Sequence, residues 1–95
     1  MARYRVIHWK EIPSLVEATE GDDVVRVPLS PRFQELIDAV AMRDGASGAD
    51  AYLEGWGQSP DDERPGSAAE VAEQVAAVLE SGFQDLIAER LRPPA

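Results

Sequence analysis

His8 is the only histidine among these 95 residues, and the chain has no cysteine. A proton shuttle at His8 needs a carboxylate within hydrogen-bond reach to orient the ring. A thiol nucleophile, a thiolate metal site and a two-histidine metal site are excluded by composition. Flanked by Ile7 and Trp9, His8 reads as a packed histidine making one backbone bond. The run Asp61-Asp62-Glu63 is dense enough in oxygen ligands to suggest calcium or magnesium, but it lacks the spacing of a calcium loop and reads as solvated charge. Gly45, Gly48, Gly55 and Gly57 form no phosphate loop, because no lysine follows any of them and Lys10 is the only lysine. The expectation is no catalytic residue, no metal ligand and no cofactor, with cofactor-binding residues unassigned.

Two groups suit recognition better than catalysis. Arg3, Arg5, Arg26 and Arg32 gather in the first half of the chain. Pairing of the first and third strands would bring Arg5 and Arg26 together to hold an anion or a partner's carboxylate, against the plainer reading of ordinary surface charge. Tyr4, Trp9, Tyr52 and Trp56 form either a core cluster or an aromatic anchor for a partner. Arg5, Trp9, Arg26, Tyr52 and Trp56 are the candidate interaction surface.

The formal charge is −9 and unevenly spread. Met1 to Arg43 holds six basic and seven acidic residues, whereas Asp44 to Glu89 holds eleven acidic residues against Arg64 alone. Nucleic-acid binding is not expected, since counterion release needs a basic face. The acidic half reads as a solubilising surface or as a face for a basic partner. The N-terminus lacks the apolar core of a signal peptide, and no stretch approaches the roughly 20 apolar residues of a membrane span. A cytoplasmic protein without membrane contact is expected.

The elements that position these residues are well signalled. Arg3 to Trp9 alternates β-branched and aromatic residues with polar ones and reads as a central strand. Pro13 precedes a second strand at about Leu15–Thr19. Glu20-Gly21-Asp22-Asp23 is a turn into a third strand, Val24–Leu29, making a hairpin. Ser30 suits an N-cap and Pro31 the first helical position. Phe33, Leu36, Ile37, Val40 and Ala41 then give one apolar stripe over Pro31–Arg43, with Gly45 as the stop. Ser47-Gly48-Ala49-Asp50 resembles a capping box opening a short helix to about Glu54, before a brief edge strand at Gly55–Gln58. Ser59–Gly66 reads as an exposed loop.

Ser67-Ala68-Ala69-Glu70 is a capping box for a long helix with Val71, Val75, Val78, Leu79 and Phe83 buried. Unbroken to Leu91 it would be ~36 Å long at ~1.5 Å per residue, so a break at Ser81-Gly82 is expected. Residues 1–91 read as one domain and 92–95 as a loose tail. The fold class is α+β: a small, mostly antiparallel sheet of three to four strands, covered on one face by the two main helices, those from Pro31 and Ser67.

Tyr4–Pro13, Val27–Leu29, Arg32–Ala39, Asp50–Trp56 and the capped helix from Ser67 together resemble the small bacterial domain known as the virulence factor domain. That domain occurs alone or at the end of a larger protein described as conserved virulence factor C. The resemblance covers about Tyr4 to Phe83. It supplies no catalytic residues to carry over, and implies an association of stand-alone members with one-carbon and corrinoid methyl transfer. The chain departs from the family's pattern at Gly57–Pro65, where members often carry more aromatic and basic residues.

Two functions follow as expectations. The first is a non-enzymatic accessory or interaction protein with a protein partner, and with a homo-oligomer contact available through Phe83, Ile87 and Leu91. The second is a small-molecule or cofactor-binding subunit of one-carbon metabolism.

Overall fold

The computed structural model describes residues 1–43, 45 and 48–90. Its elements, in chain order, are β1 (Ala2–Trp9), β2 (Ile12–Glu20), β3 (Asp23–Pro28), α1 (Pro31–Arg43), α2 (Ala49–Glu54), β4 (Trp56–Gln58), β5 (Asp62–Arg64), α3 (Ala68–Ser81) and α4 (Phe83–Arg90). The sheet runs β3-β2-β1-β4, with β5 also paired to β1, and every pairing is antiparallel. The fold is therefore α+β, with five strands rather than three to four.

The added strand corrects the reading of Ser59–Gly66 as a loop. Asp62–Arg64 pairs with Tyr4–Ala2, while β4 pairs with Ile7–Trp9 farther along the same edge. Between them Ser59 donates its N–H to the Val6 carbonyl at 2.9 Å and accepts the Val6 N–H on its hydroxyl at 2.8 Å. The backbone of β1 is thus engaged on both sides, which is what a central strand requires.

The first and third strands do not pair, because β2 lies between them. β2 also starts earlier than expected, at Ile12, and includes Pro13. The register slips between Ile7↔Leu15 and His8↔Pro13, leaving Ser14 without an opposite residue on β1. A bulge of this kind lets a proline sit in an inner strand, since the ladder is locally interrupted there. At the β2–β3 turn, Gly21 takes φ +59. Glycine at the first central position of a two-residue hairpin loop matches the twist of the flanking strands without a steric penalty.

Ala2, Val16 and Ala18 are buried among the residues that alternate toward α3, whose Val71, Ala72, Val75 and Ala76 are buried in turn. α1 adds Phe33, Leu36, Ile37, Val40 and Ala41, the full stripe its spacing predicts. Each large aliphatic or aromatic side chain so buried stabilises the fold by about 1.5–3 kcal/mol. α3 carries both reciprocal bonds of the Ser67/Glu70 capping box, and the helix ends at Gly82 as expected. Val78, assigned to its buried stripe, is 62% exposed.

Beyond the break, α4 folds back on α1. Phe83 is 6% exposed and meets Phe33 edge-to-face at a centroid distance of 4.8 Å. Phe83 is therefore core in this chain and is not available to a second copy. Ile87 is partly buried against the same cluster, and Leu91 and the tail lie outside the described residues.

The Ser30 hydroxyl donates to Glu80 Oε1 at 2.8 Å, tying the start of α1 to the end of α3. α2 is preceded by Gly48 with no side-chain cap bond; Ser47 of the proposed capping box lies outside the described residues.

Candidate functional site

The five residues expected to form one interaction surface divide into two places. Arg5 and Arg26 belong to a charged row across the sheet, and Trp9, Tyr52 and Trp56 to a corner at the end of the β1–β2 hairpin.

The row follows from register. Glu17 of β2 stands opposite Arg5 on β1 and Arg26 on β3. Arg5 donates to Glu17 Oε1 from Nε at 2.9 Å and from Nη2 at 2.6 Å, and Arg26 Nε donates to Oε2 at 2.7 Å. The two arginines do come together around an anion, but that anion is the chain's own Glu17, whose side chain is 11% exposed. Hydrogen bonds from Arg5 hold the Glu17 carboxyl below the usual carboxylate range; burial opposes this, and Arg26 adds to it. Sequence reasoning missed Glu17 because its role needs β2 between β1 and β3, which no local pattern states. Beside this row lies an open groove of about 360 Å³, lined by Arg3 and Arg5 together with Glu17, Glu20, Asp61 and Glu63. Its mixed signs favour neither an anion nor a cation.

The aromatic corner is packed. Trp9 is fully buried, stacks on Tyr52 at 5.8 Å, and donates its indole N–H to the Tyr52 carbonyl at 2.7 Å. Tyr52 in turn meets Trp56 edge-on at 6.0 Å, and both are half-buried. Gly55 closes the corner from the other side: a Cβ there would lie 2.4 Å from Trp9 Nε1. The turn at Lys10, in the left-handed region at φ 51, is held by its N–H donating to the Gly55 carbonyl at 2.7 Å. Lys10 Nζ lies 4.9 Å from the centre of the Trp9 ring. Trp9 is thus a core residue, and Tyr52 and Trp56 keep only their outer edges in solvent.

His8 sits between these regions, with Gly57 of β4 against its ring. Its Nδ1 is buried without a hydrogen-bond partner. The expected backbone bond is therefore not made at that nitrogen, and no carboxylate orients the ring through it.

A second charged cluster was not anticipated. Glu80 accepts the Ser30 N–H at 2.7 Å and the Ser30 hydroxyl, and Arg32 Nη2 donates to it at 3.0 Å. Burial pulls the Glu80 carboxyl up, but the bonds from Ser30 and Arg32 outweigh it and leave the pKa lowered. The Arg32 guanidinium lies 4.3 Å from the centre of the Phe83 ring, so the cluster also lids the α1–α4 contact.

Asp61, Asp62 and Glu63 are exposed; Asp62 accepts the Tyr4 hydroxyl at 3.3 Å, and Arg64 lies over the Tyr4 ring at 6.0 Å. Among the described residues no three metal-ligating side chains come together, and no helix is long and apolar enough to cross a membrane.

A second concave surface lies between the β4–β5 connection and the second half of α3. It has a volume of about 370 Å³ and is walled by Val6, Ser59, Pro60, Val75, Val78 and Leu79, with Tyr4, Asp62 and Arg64 at its polar end. The only sequence signal for it was Val78, which the helical spacing placed in the core.

No curated protein and no solved structure matches the chain. The family model described as Virulence factor matches residues 7–92, from the middle of β1 past the end of α4, and the chain belongs to that family.

Proposed function

We propose that this chain is a non-enzymatic accessory domain that works by binding another protein. The observation that carries the reading is Val78: a β-branched residue, 62% exposed, on the wall of a formed, largely apolar groove. Exposed apolar surface framed by polar groups is the usual mark of an interaction site. The groups best suited to chemistry have other work. Glu17, Arg5 and Arg26 neutralise one another across the sheet, and Glu80, Ser30 and Arg32 join the start of α1 to the end of α3.

A capture experiment tests this. Tagged chain incubated with lysate of its source cells, with bound proteins quantified by mass spectrometry at low and high salt, is expected to retain one partner in near-stoichiometric amount. Turnover of any substrate that His8→Ala abolishes without changing the thermal melt would overturn the reading. The one-carbon ligand alternative draws on Trp9, Tyr52 and Trp56, and packing of the Trp9 ring leaves it less support. Titration of folates and corrinoids against tryptophan emission is expected to show no saturable change.

A further inference from the structure

We propose that the outer edge of β3 pairs with β3 of a second copy of this chain, joining two sheets across a two-fold axis; this goes beyond the reading above and does not depend on it. Among the described residues the sheet ends at β3, which has a neighbouring strand on one side only. Register decides which backbone groups are left over. The Leu29 N–H donates to the Ser14 carbonyl at 2.9 Å, so Ser14 and Leu29 form a hydrogen-bonded pair of the hairpin. Such pairs alternate along an antiparallel ladder, and Val27, Val25 and Asp23 therefore turn their N–H and C=O groups towards β2. Val24 and Arg26 turn theirs outward, and Pro28 presents only a carbonyl there. The proline stands where its missing N–H costs the hairpin nothing. Val24 and Arg26 keep donor and acceptor for another strand.

An open edge does not by itself name its occupant, but the side chains along this one do. Val24 and Arg26 stand opposite Thr19 and Glu17, on the face of the Arg5–Glu17–Arg26 row, whereas Val25 and Val27 pack against the core. That row holds two guanidiniums against one carboxylate, and the Arg26 side chain, which reaches Glu17 through Nε, is 65% exposed. The turn at the start of the strand has the opposite sign, with Asp22 and Asp23 exposed. Two copies of one edge strand become antiparallel neighbours about an axis normal to the sheet, which sets outward residues against outward residues. Centred on Val24, the axis places that half-exposed valine against its own copy. It also sets each Arg26 opposite Asp22 of the other copy, bringing a second carboxylate to the row. Centred on Val25, it leaves Arg26 facing Val24, and no unlike pair is opposed. Centred on Arg26, it opposes the two arginines, which repel. One register is therefore complementary to itself in charge and in apolar surface.

The test is sedimentation equilibrium of the full chain over a concentration series reaching millimolar, with hydrogen exchange followed amide by amide. Six residues of strand make a small contact, of the size that weak and transient partners use. A reversible monomer–dimer equilibrium is expected, and the Val24 amide gains protection as the dimer forms. The Val25 and Val27 amides, already bonded to β2, should not change. Val24→Pro removes an outward N–H and should abolish the dimer. Asp22→Lys should weaken it by roughly tenfold or more, since like charges then face each other twice. Asp22 lies in an exposed turn, so this variant carries the test if the proline lowers the thermal melt. A chain still monomeric at millimolar concentration would overturn the proposal. So would a dimer that Asp22→Lys leaves at wild-type affinity, or protection gained at other amides with none at Val24.

Discussion

The Trp9 corner and the Val78 groove start from similar material and end differently. Both combine large apolar side chains, a strand edge and a helix. At the corner the buried polar groups of Trp9 and its turn are used: the Trp9 indole N–H meets the Tyr52 carbonyl, the Lys10 N–H meets the Gly55 carbonyl, and a glycine lets the backbone close to within contact of the ring. At the groove the backbone is equally satisfied, through Ser59 and Val6, yet nothing covers Val78. Satisfied backbone therefore does not by itself distinguish core from surface. Coverage does, and α2 supplies it only at one end of β1.

The largest expected effect breaks the closed side. Trp9→Ala empties a fully buried site and removes a buried hydrogen bond, so it should destabilise the fold by about 3–5 kcal/mol by chemical denaturation. A loss under about 1 kcal/mol would mean that the corner is not the packed region described.

Gly55→Ala sharpens the same point without removing anything. Gly55 has φ −73 and ψ −20, which alanine adopts freely, so the backbone gives no penalty. What remains is a methyl group driven into the Trp9 indole, at an expected cost of about 1–3 kcal/mol. A stabilised variant, as relief of unfolded-state entropy alone predicts, would show that the corner yields readily.

Much of this arrangement is legible in the sequence. The bounds Pro31–Arg43 follow from a proline at the first turn and an unbroken apolar spacing, and the Ser67 capping box and Gly82 break follow from local chemistry. What local chemistry does not contain is neighbourhood. Asp62–Arg64 has no apolar alternation and becomes a strand because the edge of β1 beside Ala2–Tyr4 offers it hydrogen bonds. Glu17 pairs with Arg5 and Arg26 only once β2 is known to be the middle strand of the three. Val78 lies seven residues after Val71, so periodicity assigns both to one stripe; Leu79, one residue on, packs against the core, and Val78 is left on the groove wall. The five candidate residues divide for the same reason: Trp9 and Arg5 share a strand, but one is core and the other pairs with Glu17.

The Arg5–Glu17–Arg26 row is a third region, one whose contribution pH can switch off. Glu17 is held below its ordinary pKa of 4.5, so its stabilisation is present above that value and is lost as pH falls through the lower folded value. Glu17→Gln should cost about 1 kcal/mol at neutral pH, since two arginines then face each other without their shared carboxylate. The cost should disappear in acid, where wild-type Glu17 is itself protonated. Melts across the acid range check this. A difference independent of pH would assign the loss to shape rather than charge.

The smallest effect is the one that most separates the two regions. Val78→Lys replaces a hydrophobic residue in a helix, a change that at a core position costs several kcal/mol through an unpaired buried charge. At 62% exposure the lysine head reaches water, its stem lies along Leu79, and a cation in the last turn of α3 suits the helix dipole. The expected change in stability is within about 0.5 kcal/mol of wild type, measured as a denaturation midpoint at unchanged slope. A loss near that of Trp9→Ala would show that Val78 is covered in solution, and the contrast between the two regions would collapse. A neutral result leaves an apolar side chain that the fold does not need, on the wall of a groove the chain itself leaves open.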